Sequence, residues 1–132
     1  MPKSLPMIRV LIADDSVPVR SGLHKLIEDH PGWVCEESLN GRDAITKIQL
    51  LAPDILILDL CMPVMDGLQA ARAIGKLVPD LPILLCTTDL PASLVSLAQR
   101  CGIQGTVSKY DRHQIEMGIE ALLRNETFFC RN

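Results

Sequence analysis

The chain has 132 residues, 48% of them hydrophobic, a length and composition suited to one domain with a single closed core. A formal net charge of −3 and a pI near 5.5 give no broad attraction for phosphate backbones or anionic lipid, which argues against direct nucleic-acid binding by these residues. The opening MPKSLP lacks an apolar signal core, and no run approaches the ~18 apolar residues of a membrane span, so the expected location is cytoplasmic with no membrane partner.

In chain order, the tail 1–6 precedes a strand over 7–13, a helix over about 16–30, a strand over 33–39 and a helix over about 41–52. There follow strand 54–60, helix about 66–77, strand 81–87, helix about 91–101, strand 104–109 and helix about 111–124. Five successive βα units predict an α/β domain over 7–124 with a parallel sheet, and leave 125–132 as a C-terminal tail or the start of a linker. Leu94, Leu97, Ala98 and Cys101 recur at helical spacing, as do Ile45, Ile48 and Leu51, and both stripes read as core faces.

The first, third and fourth strands are almost wholly aliphatic, as strands covered on both faces must be; the second carries Glu36, Glu37 and Ser38 and the fifth Thr106 and Ser108. Placing the two polar strands at the edges gives a five-stranded doubly wound sheet of order 2-1-3-4-5, the flavodoxin-like (βα)5 arrangement. Its switch point falls between the first and third strands, and ligands bind there at the carboxyl ends.

That edge is chemically loaded. The first strand runs into Asp14 and Asp15 and the third into Asp59, so three carboxylates meet across one crevice. Two like charges about 4 Å apart repel by roughly 4 kcal/mol at an effective dielectric of 20, so the cluster calls for a cation or for protons. Oxygen donors with positions left for water and phosphate suit Mg²⁺, with Mn²⁺ as a substitute. Thr87 and Thr88 at the end of the fourth strand offer hydroxyl and amide donors, and Lys109 at the end of the fifth offers a point charge for a phosphate oxygen. The five cysteines form no CxxC pair and read as reduced thiols; His24, His30 and His113 form no triad.

Segments IADDS (12–16), DLCMPVMDG (59–67), TT (87–88) and SK (108–109) together make the chain resemble a receiver domain of a two-component response regulator, over residues 7 to 124. The resemblance implies that Asp59 accepts a phosphoryl group from a histidine kinase. Asp15, Asp59 and the Cys61 carbonyl would hold Mg²⁺, Asp14 would assist through water, and Thr87, the Thr88 amide and Lys109 would hold the phosphoryl oxygens. Three positions depart from the family pattern. Thr106 stands where a switching aromatic is usual, Tyr110 where proline is common, and Thr88 where a smaller residue is common. A trans Lys109–Tyr110 bond is expected, because a cis bond before a non-proline residue costs about 2.5–4 kcal/mol.

The chain reads as a signalling switch rather than an enzyme. An aspartyl-phosphate phosphatase wants a second carboxylic acid two residues after its nucleophile, and Cys61 is there instead. In receivers that lose their acyl phosphate quickly, the residues two past the acceptor and two past the hydroxyl position help to place the attacking water; here these are Cys61 and Asp89, and Cys61 makes slow decay the expectation. The ending GIEALLRNETFF resembles the last helix and linker start of receivers joined to a helix-turn-helix domain, which predicts a transcriptional regulator reaching DNA only through an output domain outside these residues. A stand-alone receiver acting through protein contacts is the alternative, and a homodimer is compatible with either. Phe128 and Phe129 are expected as an exposed aromatic pair marking a continuation or a docking surface.

Overall fold

The computed structural model describes residues 7–132. The elements are β1 (Ile8–Ala13), α1 (Val17–Glu28), β2 (Trp33–Ser38), α2 (Gly41–Leu51), β3 (Ile55–Asp59), α3 (Gly67–Leu77), β4 (Ile83–Thr87), α4 (Ala92–Arg100), β5 (Gly105–Ser108), α5 (Arg112–Leu123) and β6 (Phe128–Phe129). The 1–6 tail expected from the sequence lies outside the described residues.

All strands run parallel, in the order β2-β1-β3-β4-β5-β6. Because successive strand residues face opposite sides, the aliphatic strands feed two cores at once. Leu11, Leu56, Leu58 and Leu85 pack with Ala44, Ile48, Ala71, Ile74 and Ala98 of α2, α3 and α4. Val10, Ile12, Ile55, Ile57 and Leu84 pack with Leu23, Ile27, Ile115, Ile119 and Leu122 of α1 and α5. The helices begin on side-chain caps at Ser16, Asn40, Asp66 and Asp111, each accepting a backbone N–H from the first turn; α4 starts after Pro91 without one.

Two expectations are corrected. The sheet has a sixth strand, and β5 is therefore internal. After α5, Asn125 takes a left-handed conformation (φ 62°), and the chain returns to run alongside β5, pairing Gly105 with Phe128 and Thr106 with Phe129. The two phenylalanines are half-buried in that strand instead of forming an exposed pair. The physical reason is the open edge of β5, whose backbone groups need partners: Phe128 N–H donates to the Gln104 carbonyl (3.0 Å) and Cys130 N–H to the Thr106 carbonyl (2.9 Å). Thr106, polar in the sequence, is fully buried because its hydroxyl donates to the Cys130 carbonyl at 2.7 Å.

No peptide bond among the described residues is cis, so Lys109–Tyr110 is trans as expected. All five cysteines are unpaired, and burial pushes the Cys35 and Cys86 thiols up to about 12, which keeps them as inert small hydrophobes. No helix among the described residues is long and apolar enough to cross a membrane.

Candidate functional site

Register builds the site. Ala13 lies opposite Leu58 on neighbouring strands, so the next residue of each, Asp14 and Asp59, come side by side at the carboxyl edge. On the other side of β3, Asp59 lies opposite Cys86, the residue before Thr87, and Thr87 in turn lies opposite Ser108, the residue before Lys109. Four strands thus deliver Asp14, Asp59, Thr87 and Lys109 to one place. Asp15, one step beyond Asp14, projects from the exposed rim, and carboxylate oxygens of Asp14, Asp15 and Asp59 all lie within 4.8 Å of one another.

The cluster is deeply set. Asp14 and Asp59 are only 2% and 3% exposed, and the Lys109 ammonium lies between them, 3.2 Å from Asp14 Oδ2 and 2.9 Å from Asp59 Oδ1. Burial raises the Asp59 pKa above the ordinary carboxylate range; the hydrogen bond from Lys109 pulls it down, the Asp14 charge pushes it up again, and the Lys109 charge and the Cys61 amide oppose that. For Lys109, burial acts to lower the pKa, but its hydrogen bond to Asp59 and the two carboxylate charges prevail, and the net shift is upward. The lysine therefore stays charged in a pocket that would otherwise hold an excess of negative charge.

Local structure fixes these groups. Asp14 Oδ1 accepts the Ser16 N–H at 2.8 Å just before α1 begins, and the Arg20 guanidinium donates to the Asp14 carbonyl at 2.7 Å while bonding Glu37 at 3.1 Å. The loop from Leu60 to Asp66 is pinned back onto the strand: Gly67 N–H donates to the Leu60 carbonyl at 2.8 Å, and Asp66 and Gln69 close a reciprocal cap. A side chain at Gly67 would put its Cβ 2.3 Å from the Asp59 carbonyl oxygen, so glycine is what lets α3 start this close to the acidic residue. Val64 in the same loop takes φ 73°, a costly value for a β-branched residue.

Of the residues singled out from the sequence, Asp14, Asp15, Asp59 and Lys109 are brought together directly. Thr87 is buried at the end of β4, with its carbonyl accepting the Lys109 N–H at 3.0 Å, and Thr88 is exposed just beyond. The Cys61 side chain is exposed, and its backbone N–H helps to hold the Asp59 pKa down. Asp89 lies on the β4–α4 loop, where its Oδ1 accepts from Asn132 Nδ2 at 2.6 Å. Sequence reasoning missed the Ser16 amide, Arg20 and Asn132. The helix-capping character of Ser16 was a usable signal; nothing local marked the other two.

The donor set fits a hard divalent cation: three carboxylates from two strand ends, one at the rim where water has access, and no thiolate or imidazole among them.

Parallel α/β topology with an acidic pocket crossed by a lysine at its switch point defines a domain of the response-regulator type. The chain belongs to the response regulator receiver domain family, whose model matches residues 10–120, and is thus a receiver domain of a two-component system. It is 35% identical over 101 residues to the chemotaxis protein CheY of Thermotoga maritima, covering 76% of this chain and 84% of that protein. It is 34% identical over 104 residues to the response regulator UvrY of Escherichia coli K12, covering 78% of this chain but 48% of UvrY. A protein-glutamate methylesterase/protein-glutamine glutaminase of Treponema denticola is 37% identical over 82 residues, 61% of this chain and 22% of that enzyme. Among solved structures, a LuxR-family two-component response regulator from Aurantimonas sp. SI85-9A1 superimposes with a TM-score of 0.88 at 29% identity, covering 92% of this chain and 89% of that one. The chain therefore spans about a fifth to a half of the methylesterase and UvrY, and most of CheY.

Proposed function

We propose that the domain is a phosphorylation-dependent switch in which Asp59 accepts a phosphoryl group from the phosphohistidine of a kinase, or from a small acyl phosphate, with Mg²⁺. The observation that carries this reading is the buried Asp59 carboxylate held 2.9 Å from Lys109 beside Asp14 and Asp15. A carboxylate oxygen of Asp59 forms the new O–P bond as the P–N bond of the phosphohistidine, or the P–O bond of an acyl phosphate, breaks. The electron pair leaves with the imidazole, which takes up a proton, or with the carboxylate. Asp59 reacts as the anion, so no proton has to leave it in the step.

Asp15, Asp59 and the Cys61 carbonyl would hold Mg²⁺, with Asp14 acting through water; when bound, the ion neutralises phosphoryl charge and aligns the group for in-line transfer. Mn²⁺ has the same oxygen preference and would substitute. Lys109, already between Asp14 and Asp59, turns to a phosphoryl oxygen once Asp59 is phosphorylated, and the Thr87 hydroxyl and Thr88 amide donate to the others.

For output, the LuxR-family neighbour and UvrY support a transcriptional regulator in which a further domain contacts DNA, whereas the coverage of CheY supports a receiver acting through protein contacts. We favour the first, and the coding sequence beyond residue 132 decides it. For the switch itself, the protein is incubated with acetyl phosphate and Mg²⁺ and its intact mass measured. One base-labile phosphoryl group, lost in Asp59→Asn, is expected; a group mapped to Ser16 or Thr87 overturns the assignment.

A further inference from the structure

The strand after α5 is tied to more than the sheet. Asn132 N–H donates to the Leu90 carbonyl (3.0 Å), its side-chain Oδ1 accepts the Leu90 N–H (2.8 Å), and its Nδ2 donates to Asp89 Oδ1 (2.6 Å). One residue thus makes three hydrogen bonds to the loop that begins directly after Thr87 and Thr88. Two residues earlier, Cys130 is fastened to Thr106 by the pair of bonds that bury the threonine, its N–H donating to the Thr106 carbonyl and its carbonyl accepting the Thr106 hydroxyl. The segment is therefore a strap with one end on β5 and the other on the loop leaving the phosphoryl-acceptor pocket. Beside it lies a polar cleft of about 360 Å³ lined by Thr88, Ser108, Gln114, Arg131 and Asn132, which leaves the loop room to shift.

We propose that Phe128–Asn132 is a phosphorylation-responsive strap: in the resting domain Asn132 clamps Asp89 and Leu90 and the strap covers the outer edge of β5, and loading of Asp59 pulls the loop off the clamp and loosens the strap. The inference rests on the reading of Asp59 as phospho-acceptor. A phosphoryl group adds nearly two negative charges at Asp59, and its donors at Thr87 and Thr88 lie two residues and one residue before Asp89. An adjustment of Thr87 and Thr88 toward the phosphoryl oxygens carries Asp89 and Leu90 with it. Asn132 is exposed, and its bonds belong to the least stable part of the fold, so the clamp parts before the contacts of Phe128 and Cys130 with the core are disturbed. Thr106 occupies the place where the family pattern has a large aromatic, and its hydroxyl serves the strap instead.

Coupling runs in both directions, because a clamp that opposes loading in the resting state must be opposed by loading. Removing it should therefore favour the phosphorylated form. The test uses the full chain and follows amide hydrogen exchange at Leu90, Phe128, Cys130 and Asn132, with intact mass taken on the same samples, at rest and with acetyl phosphate and Mg²⁺. Wild type should lose protection at Leu90 and Cys130 by about fivefold or more when loaded, the scale of one or two lost exposed bonds. Asn132→Ala should show that loss already at rest and reach a higher phosphorylated fraction at limiting acetyl phosphate. Full phosphorylation with resting protection retained at Leu90 and Cys130 overturns the strap and leaves the acceptor reading intact. Absence of any phosphoryl adduct on the wild type overturns both. Unchanged Leu90 exchange in resting Asn132→Ala also overturns the strap.

Discussion

Asp59 titrates against three neighbours, and the balance has a sign that can be measured. Unfolded, it is an ordinary carboxylate; folded, burial and the Asp14 charge hold its pKa higher despite Lys109. Between the two values the folded state binds more protons than the unfolded one, so this group makes stability fall as pH rises through that interval. Asp59→Asn removes the titration. In EDTA, melting temperatures across pH 3 to 8 should show the variant gaining on wild type as pH rises from the ordinary carboxylate range of about 4 and levelling off above the raised value. A difference between the two that stays constant with pH would contradict it. Lys109, whose pKa is raised, contributes stability that is complete below its unfolded value and is lost as pH rises through the folded one, so it leaves this acid window untouched. A second residue-scale expectation concerns Cys61, which is exposed and offers only a weak S–H donor to a hydrolytic water. Asp89, the other residue placed to help, is already bonded to Asn132. Decay of the acyl phosphate should be slow and should quicken by roughly tenfold in Cys61→Asn, equivalent to one oriented hydrogen bond of ~1.4 kcal/mol; no acceleration would remove this role from Cys61.

Among the elements, the five long strands and five helices were legible because periodicity reports burial directly: IRVLIA and ILILD are covered on both sides, and the helical stripes point at one core each. β6 was not. Two residues carry no period, and the polar character of β5 that suggested an open edge arose from Thr106, whose hydroxyl is satisfied by the strand that sequence reasoning did not place. The start of α3 gives a prediction of its own. With a Cβ at position 67 due to fall 2.3 Å from the Asp59 carbonyl oxygen, Gly67→Ala must move backbone against backbone, and neither side has a flexible end to yield. A loss of roughly 2 kcal/mol or more in chemical denaturation, with weakened phosphorylation, is expected. An alanine variant of wild-type stability would mean that the 60–66 loop is not pinned as described.

For the whole molecule, the topology followed from where polar residues fall among aliphatic strands, and the acidic pocket followed from the topology. What could not be read was the resting arrangement inside it. That Lys109 spans Asp14 and Asp59 depends on a side-chain choice among several acceptors, which no spacing encodes. Because the carboxylates come from β1 and β3, an ion there ties two strands that are distant in sequence, and its effect should be global. Mg²⁺ at tenfold over its Kd should raise unfolding free energy by about 1.4 kcal/mol, and Asp15→Asn should largely abolish the gain. A wild-type melting temperature indifferent to millimolar Mg²⁺ would count against the site.

The order in which the sheet is laid down has a consequence for its making. β1, flanked by β2 and β3 in the finished sheet, is the first strand to be translated and can find both neighbours early. The outer side of β5 cannot be closed until residues 128–132 have left the ribosome, after α5 and the left-handed turn at Asn125. During synthesis the nascent domain therefore presents an unpaired strand edge until the segment after α5 emerges, an arrangement open to pairing with a neighbouring chain. The two phenylalanines close this edge only after the last helix has been made.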